Sequence, residues 1–208
     1  MPSRAVRRFL ARAFLRVTGW EPEGARPTLP RFVLIAAPHT SNWDLAYLLA
    51  LAEVYDLRIS WMGKHQIFRW PFGGLFRALG GIPIRRHERA DRVGAMAKEF
   101  AERDSFALVV PSEATRAWAP HWKSGFYHIA RRAEVPIVMG FLDYRRRRGG
   151  FGPALLTSRD VTDDMDQIRA FYADKVGKYP ERFGPVRLRE EEPREATPTP
   201  RDAGAEPT

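Results

Sequence analysis

The residues best suited to chemistry stand in one short segment, Pro38-His39-Thr40-Ser41-Asn42-Trp43-Asp44. The apolar run over residues 32–37 predicts a buried strand that ends just before it, and helical periodicity begins near Trp43. His39 is therefore expected at the carboxyl end of a strand, where open α/β sheets bind their ligands. An Asp44 carboxylate that accepts the ring N–H would fix the tautomer of His39. The other ring nitrogen could then deprotonate a hydroxyl.

The same segment also fits a purely structural interpretation. Ser41 suits the N-cap of a helix, and Asp44, three residues later, suits the reciprocal position of a capping box. The two interpretations are compatible with each other. Because a His-x-x-x-x-Asp spacing is common by chance, the assignment of a catalytic pair depends on motifs elsewhere in the chain.

Four further blocks stand after the histidine segment in order. They are Gly80-Gly81-Ile82-Pro83-Ile84-Arg85-Arg86, Ser112-Glu113-Ala114-Thr115-Arg116, Trp122-Lys123-Ser124-Gly125 and Val135-Pro136-Ile137-Val138. Together with the His-x-x-x-x-Asp motif, these segments resemble the glycerolipid acyltransferase family typified by 1-acylglycerol-3-phosphate acyltransferases. The family's second, third and fourth blocks correspond to residues 80–86, 112–116 and 135–138. The resemblance covers roughly residues 33–145, and the order of the blocks makes it more specific than any single block.

This resemblance implies direct transfer of an acyl group from a thioester of coenzyme A or acyl carrier protein to a hydroxyl. It implies no covalent acyl-enzyme, no cofactor and no metal ion. His39 would be the base that activates the acceptor hydroxyl, and Asp44 would be its orienting partner. The fourth block, Val135–Val138, would be mostly sheet core.

Acceptor binding falls to the second and third blocks by the same resemblance. Arg86 matches the arginine that binds the acceptor phosphate, while Glu113, Thr115 and Arg116 match a Glu-Gly-Thr-Arg block. A phosphate monoester needs fixed cations, and the planar guanidinium binds phosphate in bidentate fashion. Because Arg86 and Arg116 each follow a predicted strand, we expect both at the crevice that holds His39.

Other basic and histidine residues carry weaker predictions. Lys64 and Lys123 are further candidates for the phosphate pocket, although any single cation can equally be a solvated charge. The remaining histidines lack metal-ligand spacing, and we interpret them as structural or surface residues: His65, His87, His121 and His128.

The third block departs from the family pattern at two positions. Ser112 stands where the family usually has Pro, and Ala114 stands where it has Gly. Glycine permits a positive φ and close approach of the backbone to a ligand, both of which Ala resists. Arg85 also stands where an acid is common, which adds positive charge beside Arg86. We therefore expect the chemistry to be retained and acceptor binding to be altered.

The elements that must position these residues alternate between strand and helix patterns. Strands are predicted over 32–37, 57–62, 82–84, 106–110, 135–144 and 151–157, and helices over 44–55, 88–103, 124–133 and 163–178. This order predicts one α/β domain over 30–185, with a mixed, mainly parallel sheet flanked by helices. The aromatic, Gly-rich segment 67–79 suits an acyl-chain channel, a lipid interface or core filling.

A basic amphipathic helix is predicted ahead of this domain, within residues 1–20. Its apolar residues share one face: Val6, Phe9, Leu10, Ala13, Phe14 and Val17. Arginines occupy much of the rest: Arg4, Arg7, Arg8, Arg12 and Arg16. Such a helix can lie in a lipid interface with its arginines at the phosphates. Alternatively, it packs on the domain with its arginines in solvent.

Composition limits the possible partners. The 208-residue chain has a net charge of +9 and a pI of about 10.3, so its partner is expected to be anionic. The absence of cysteine excludes disulfides, thiolate zinc sites and cysteine nucleophiles. No apolar run approaches the ~18 residues that span a bilayer. The tail over 186–208, rich in Glu, Pro, Thr and Ala, is predicted to be disordered.

These observations lead to one prediction and its alternatives. The predicted function is an acyltransferase acting on a lysophosphatidate-like acceptor, peripheral on the cytoplasmic, inner face of the cell membrane. Its partners would be an anionic membrane surface, a lysophospholipid acceptor and an acyl thioester donor. Nucleic acid is not expected, because the basic loop Arg145–Gly150 has no accompanying RNA-binding or zinc-finger signature; it suits a solvated turn or a lipid contact. The alternatives are a non-catalytic lipid-binding module and an acyltransferase for a non-glycerophosphate hydroxyl or amine. The oligomeric state is left open.

Overall fold

A computed structural model of the chain describes residues 3–84, 92–158 and 160–192, with the backbone alone for Lys64 and Ile84. Within these residues, seven strands form one sheet in the order β1-β7-β6-β2-β5-β3-β4. The strands are β1 (Glu21–Glu23), β2 (Arg31–Ala37), β3 (Ile59–Lys64), β4 (Gly81–Ile84), β5 (Phe106–Val110), β6 (Ile137–Asp143) and β7 (Arg148–Leu155).

Helices connect most of these strands. They are α1 (Arg4–Thr18), α2 (Trp43–Val54), α3 (Gly73–Ala78), α4 (Arg92–Ala101), α5 (Gly125–Ala133) and α6 (Val161–Tyr172). Short 3₁₀ turns lie at His65–Phe68, Pro180–Arg182 and Arg189–Glu191. None of the helices in the described ranges has the length and hydropathy needed to cross a bilayer.

The strand directions confirm a mixed, mainly parallel sheet. β4, β3, β5, β2 and β6 pair in parallel, and β7 is antiparallel to β6 because only a tight turn separates them. β1, which the sequence analysis did not predict, adds to β7 in parallel. Gly150 permits this pairing, since a Cβ at that position would lie 1.8 Å from the Glu23 carbonyl oxygen.

The central strands are apolar on both faces because helices cover both faces. Along β2, Val33 and Ile35 pack beneath α4, α5 and α6, whereas Phe32 and Leu34 pack beneath α2 and α3. A smaller cluster joins α1 to the outer face of α2 through Leu15. The domain is thus three layers with α1 added outside, which confirms the predicted α/β architecture.

Helix α1 docks with most of its predicted apolar stripe facing outward. Its buried residues are Ala11 and Leu15, and Val17 is 87% exposed. Arg4 and Arg8 pair with Asp56 at the end of α2, and Arg7 pairs with Glu53. Three of the five arginines thus contact the acidic end of α2, and the placement of this helix in a lipid interface stays a prediction. Four residues of the predicted stripe form an exposed α1 stripe: Val6, Phe9, Leu10 and Val17. Ala13 and Phe14 are half-buried, and Phe14 packs against Tyr47.

The aromatic segment 67–79 is partly buried and partly exposed. Phe68 is buried and Phe76 packs with it against Trp61, so both fill core space under the sheet. Trp70, by contrast, is 93% exposed, and Phe72 and Leu75 are also exposed.

Several predicted boundaries shift. The strand predicted over 57–62 is β3, which begins at Ile59, and the one predicted over 151–157 is β7, which begins at Arg148. The helix predicted over 163–178 is α6. Asp160 accepts bonds from the amides of its first turn, which sets the earlier start. The chain leaves α6 after Tyr172 and crosses the end of β6. The first residues of the helix predicted over 88–103 lie outside the described residues.

The prediction of a disordered tail is wrong for residues 186–192. Val186 is buried and Leu188 is fully buried, and the chain makes a β-bridge from Leu188 to Trp122. Arg169 of α6 bonds the Val186 carbonyl and pairs with Glu191. Two buried apolar side chains anchor an irregular segment without any periodic pattern, so composition alone did not reveal it. Residues 193–208 lie outside the described part of the chain.

Candidate active site

The candidate site lies where two neighbouring parallel strands end. β2 pairs with β5, so the segments that continue from Ala37 and Val110 leave the same edge of the sheet. His39 is on the first segment and Glu113 is on the second. The His39 backbone amide donates to Glu113 Oε1 at 2.6 Å, which ties the two segments together.

His39 and Asp44 form the expected pair. His39 Nδ1 lies 3.1 Å from Asp44 Oδ2, and the same oxygen accepts the Ser41 amide at 2.9 Å. Asp44 is buried at the start of α2, while the His39 side chain keeps 20% exposure. One carboxylate thus makes the contacts that both interpretations of Asp44 require, although Asn42, not Ser41, is the N-cap.

Tyr144 is a member of this site that the sequence analysis missed. Its hydroxyl donates to Asp44 Oδ1 at 2.6 Å, across 100 residues of chain. Tyr144 stands directly after β6, where its aromatic ring suggests ordinary core. No local spacing connects it to the histidine motif, so only the parallel sheet order could have indicated that β6 ends beside β2.

Glu113 lies inside the site and is only 3% exposed. Burial raises the pKa of Glu113 to about 7, although the His39 amide bond and the nearby His39 ring oppose that rise. Its second oxygen, Oε2, is buried with no hydrogen-bond partner among the described residues. The resemblance assigned Glu113 to the acceptor, whereas its contact in this structure is the backbone of His39.

Ser112 is fully buried, whereas the last three residues of the third block are exposed. Ala114 has φ +54°, the left-handed conformation that favours Gly. Thr115 and Arg116 are exposed beyond it, and Thr115 Oγ1 accepts the Ala117 amide. The family's glycine thus corresponds to a real backbone requirement, which this chain meets with Ala.

Of the basic candidates for the phosphate pocket, only Lys123 and Arg116 lie within the described residues with their side chains. The Lys123 amide donates to the Ser112 carbonyl at 2.7 Å, which joins its block to the third block, and its side chain is exposed. Arg86 lies outside the described residues. Lys64 is described only by its backbone at the end of β3. Among the residues described, no group of three His, Cys, Asp or Glu side chains could hold a metal ion.

The segment after α6 adds a further cation that the sequence analysis did not identify. The Tyr179 amide donates to Thr40 Oγ1, and Gly177 packs against Thr40. This contact brings Lys178 over the Trp43 ring, with its Nζ 5.5 Å from the ring centre. An ammonium group therefore lies close to the histidine segment.

This arrangement can perform base catalysis on a hydroxyl. With Nδ1–H donating to Asp44, the lone pair of His39 is on Nε2, and the buried carboxylate stabilises the imidazolium formed when Nε2 takes a proton. The site combines a positioned imidazole with a buried carboxylate and the nearby Lys178 ammonium group. It suits attack by a hydroxyl of an anionic molecule on a carbonyl compound.

Comparisons with known proteins agree with this chemistry. Residues 23–139 match the family model described as Acyltransferase. Among solved structures, the 1-acyl-sn-glycerophosphate (LPA) acyltransferase PlsC from Thermotoga maritima is similar in fold, with a TM-score of 0.55 and 14% sequence identity. That alignment covers 82% of this chain and 75% of the other. No curated protein sequence matches the chain.

Proposed function

The chain belongs to the acyltransferase family, and we propose that it transfers a fatty acyl group to a lysophosphatidate-like glycerophospholipid. The proposed donor is acyl-CoA or acyl carrier protein, and the proposed acceptor group is a hydroxyl. The observation that carries the proposal is the His39–Asp44 pair at the end of β2, inside the matched residues 23–139. The similar Thermotoga maritima protein is a 1-acyl-sn-glycerophosphate acyltransferase, which favours the same class of acceptor for this chain.

In the proposed reaction, Nε2 of His39 takes the proton of the acceptor hydroxyl as its oxygen attacks the thioester carbonyl carbon. The tetrahedral intermediate collapses by breaking the carbon–sulfur bond, and the imidazolium returns its proton to the departing thiolate. The products are an ester and a free thiol, without a covalent acyl-enzyme. Asp44 accepts the Nδ1–H throughout and stabilises the charged ring.

The proposed phosphate site lies beside this pair. Arg86, Thr115 and Arg116 retain the roles that the resemblance implies, and Lys64 and Lys123 remain further candidates. Thr115, Arg116 and Lys123 are exposed and come after Glu113 in the chain, so their polar groups are accessible to a ligand.

An anionic membrane surface is the proposed partner, with the protein peripheral on the cytoplasmic face. Two exposed apolar surfaces support this proposal: the α1 stripe, and the group Trp70, Phe72 and Leu75. The elements that carry them lie on the α2 side of the sheet, α1 against α2 and the α3 segment against β3. With a net charge of +9, such a surface would be attracted to anionic lipid. The basic loop after β6 contributes less, since Arg146 pairs with Asp143 and Glu23.

A thiol-release assay tests the proposed function. The protein is incubated with acyl-CoA and lysophosphatidate in mixed micelles, and the released thiol and the lipid product are followed together. The chain contains no cysteine, so every thiol detected comes from the donor. We expect thiol release to depend on the acceptor and to match phosphatidate formation one to one.

A panel of acceptors separates the alternatives. Turnover with a non-phosphorylated alcohol or an amine, and none with lysophosphatidate, would contradict the proposed acceptor; the Ser112 and Ala114 departures favour that outcome over loss of chemistry. Vesicle binding without turnover of any acceptor, with acyl-CoA or with acyl carrier protein, would identify a non-catalytic lipid-binding module.

A further inference from the structure

The Asp44 carboxylate is held from both of its oxygens. Oδ2 receives the His39 ring and the Ser41 amide, and Oδ1 receives the Tyr144 hydroxyl at 2.6 Å. A carboxylate bound at one oxygen only can rotate about its Cβ–Cγ bond. The second contact removes that freedom, so the direction of Oδ2 towards His39 depends on Tyr144.

Tyr144 is itself fixed by contacts on three sides. Its ring meets Trp20 edge-on at 4.8 Å and Tyr47 edge-on at 5.8 Å. Its amide donates to the Val176 carbonyl at 2.8 Å. The preceding residue, Asp143, is fully buried and accepts from the Arg146 side chain. These contacts fix the Tyr144 ring, so its hydroxyl is held in place to donate to Asp44.

The tyrosine is neutral in this setting. Burial, followed by the bond to Asp44 and the charge of that carboxylate, holds the pKa of Tyr144 far above its usual value. The group therefore remains an O–H donor wherever His39 can act as a base. The other titratable groups near this cluster are Tyr47 from α2, Glu113 from the segment after β5 and Lys178 from the segment after α6.

We propose that Tyr144 is a positioning residue for the acyl-transfer reaction: its hydroxyl orients the Asp44 carboxylate, which in turn fixes the tautomer and orientation of His39. Tyr144 does not touch the substrate and acts only through Asp44. The predicted effect on kcat rests on the proposed function, whereas the predicted effect on the His39 ring does not. It also connects α1 to the site, because Trp20, which follows that helix, forms one wall around Tyr144.

Tyr144→Phe tests the proposal, since it keeps the ring packing and removes only the O–H. Because hydrogen bonds to charged groups are strong, we expect kcat to fall by about tenfold or more, with KM nearly unchanged. Without the donor, the negative charge on Asp44 acts more strongly on His39. The acidic limb of the kcat profile should therefore move to higher pH, by about half a unit. In an Asp44→Asn background, the same substitution should have no further effect on kcat.

Tyr127→Phe is the matched control. The Tyr127 hydroxyl donates to buried Asp164 at 2.8 Å under α6, on the opposite face of the sheet from α2. Tyr127→Phe removes a hydrogen bond of the same kind, so its free energy of unfolding should fall by about as much as that of Tyr144→Phe. Its kcat and the pH profile of kcat should stay unchanged.

NMR titration of the His39 ring provides a readout that needs no turnover. A shift of the His39 titration in Tyr144→Phe but not in Tyr127→Phe supports the proposal even if no acyl acceptor is turned over, in which case the proposed function fails on its own. If Tyr144→Phe lowers stability alone and leaves both kcat and the His39 titration unchanged, Tyr144 is merely structural and the proposal is overturned.

Discussion

At the scale of single residues, the site contains two buried carboxyl groups, although carboxylates ordinarily prefer water. Three groups surround the buried Asp44 carboxylate, from His39, Ser41 and Tyr144. Glu113 has one donor and lies in the same interior with its other oxygen unpartnered among the described residues. Its position is thus less favourable to the charged form, which is why its pKa is raised.

Glu113→Gln tests this electrostatic cost. Because burial raises the pKa of Glu113 from 4.5 to about 7, folding favours its neutral form. The unfolded chain loses this proton first as the pH rises, so the wild-type protein should lose up to about 3 kcal/mol of stability between about pH 4.5 and 7. Glutamine keeps an oxygen for the His39 amide and cannot ionise. The stability of the variant relative to the wild type should therefore increase over this window, as measured by urea unfolding.

Glu102→Gln is the control for that measurement, because Glu102 is exposed and pairs with Lys98 on the surface. Its difference from the wild type should stay small and nearly constant with pH. A Glu113→Gln curve that runs parallel to the wild-type curve across the window would contradict the assigned cause.

Ala114→Gly tests the backbone requirement in the third block. Ala114 has φ +54°, where Ala costs about 1 kcal/mol relative to Gly. We expect the glycine variant to be more stable by roughly 0.5–1 kcal/mol in urea unfolding, despite the greater freedom of Gly in the unfolded chain. Ala117→Gly, at a residue without positive φ, should instead reduce stability. Equal losses in both variants would contradict strain at Ala114.

At the scale of elements, periodicity predicted which segments form helices or strands, but not which neighbouring elements they contact. The α1 stripe follows from the spacing of its apolar residues, and the structure leaves that stripe exposed because Ala11 and Leu15 dock the helix instead. The pairing of Arg4, Arg7 and Arg8 with the end of α2 could not be predicted, since the sequence does not show which helix lies beside α1.

The α1 stripe provides a test of membrane association. Changing Phe9, Leu10 and Val17 to Ser removes exposed apolar area without touching the docked face. Each side chain is worth on the order of 1.5–3 kcal/mol when fully buried, so partitioning to phosphatidylglycerol-containing vesicles should weaken by at least about tenfold. Co-sedimentation measures this, with unchanged thermal stability expected. Leu156→Ser, at an exposed residue after β7, serves as the control.

Unchanged co-sedimentation of the stripe variant would exclude α1 as the anchor. A truncation of residues 1–20 would be a poorer test, because it also removes Leu15 and Trp20, which are buried in the cluster that surrounds Tyr144.

At the scale of the whole molecule, the sheet order assembles the site. β6, β2 and β5 are adjacent, so Tyr144, His39 and Glu113 meet at one edge although they are far apart in the chain. The α/β class and the His39–Asp44 pair could be predicted, because buried strands appear as apolar runs and the pair is local. The Tyr144, Lys178 and Leu188 contacts could not, because each depends on which distant segments the fold brings together.

His39 is the proposed base for acyl transfer, and the rate of thiol release by His39→Ala tests this role. General base catalysis contributes about 10²–10⁴-fold, so the variant should lose at least that much activity while circular dichroism and thermal unfolding stay near those of the wild type. His128→Ala, at a half-exposed surface histidine of α5, should keep the wild-type rate. A folded His39→Ala protein that releases thiol as fast as the wild type would contradict the mechanism.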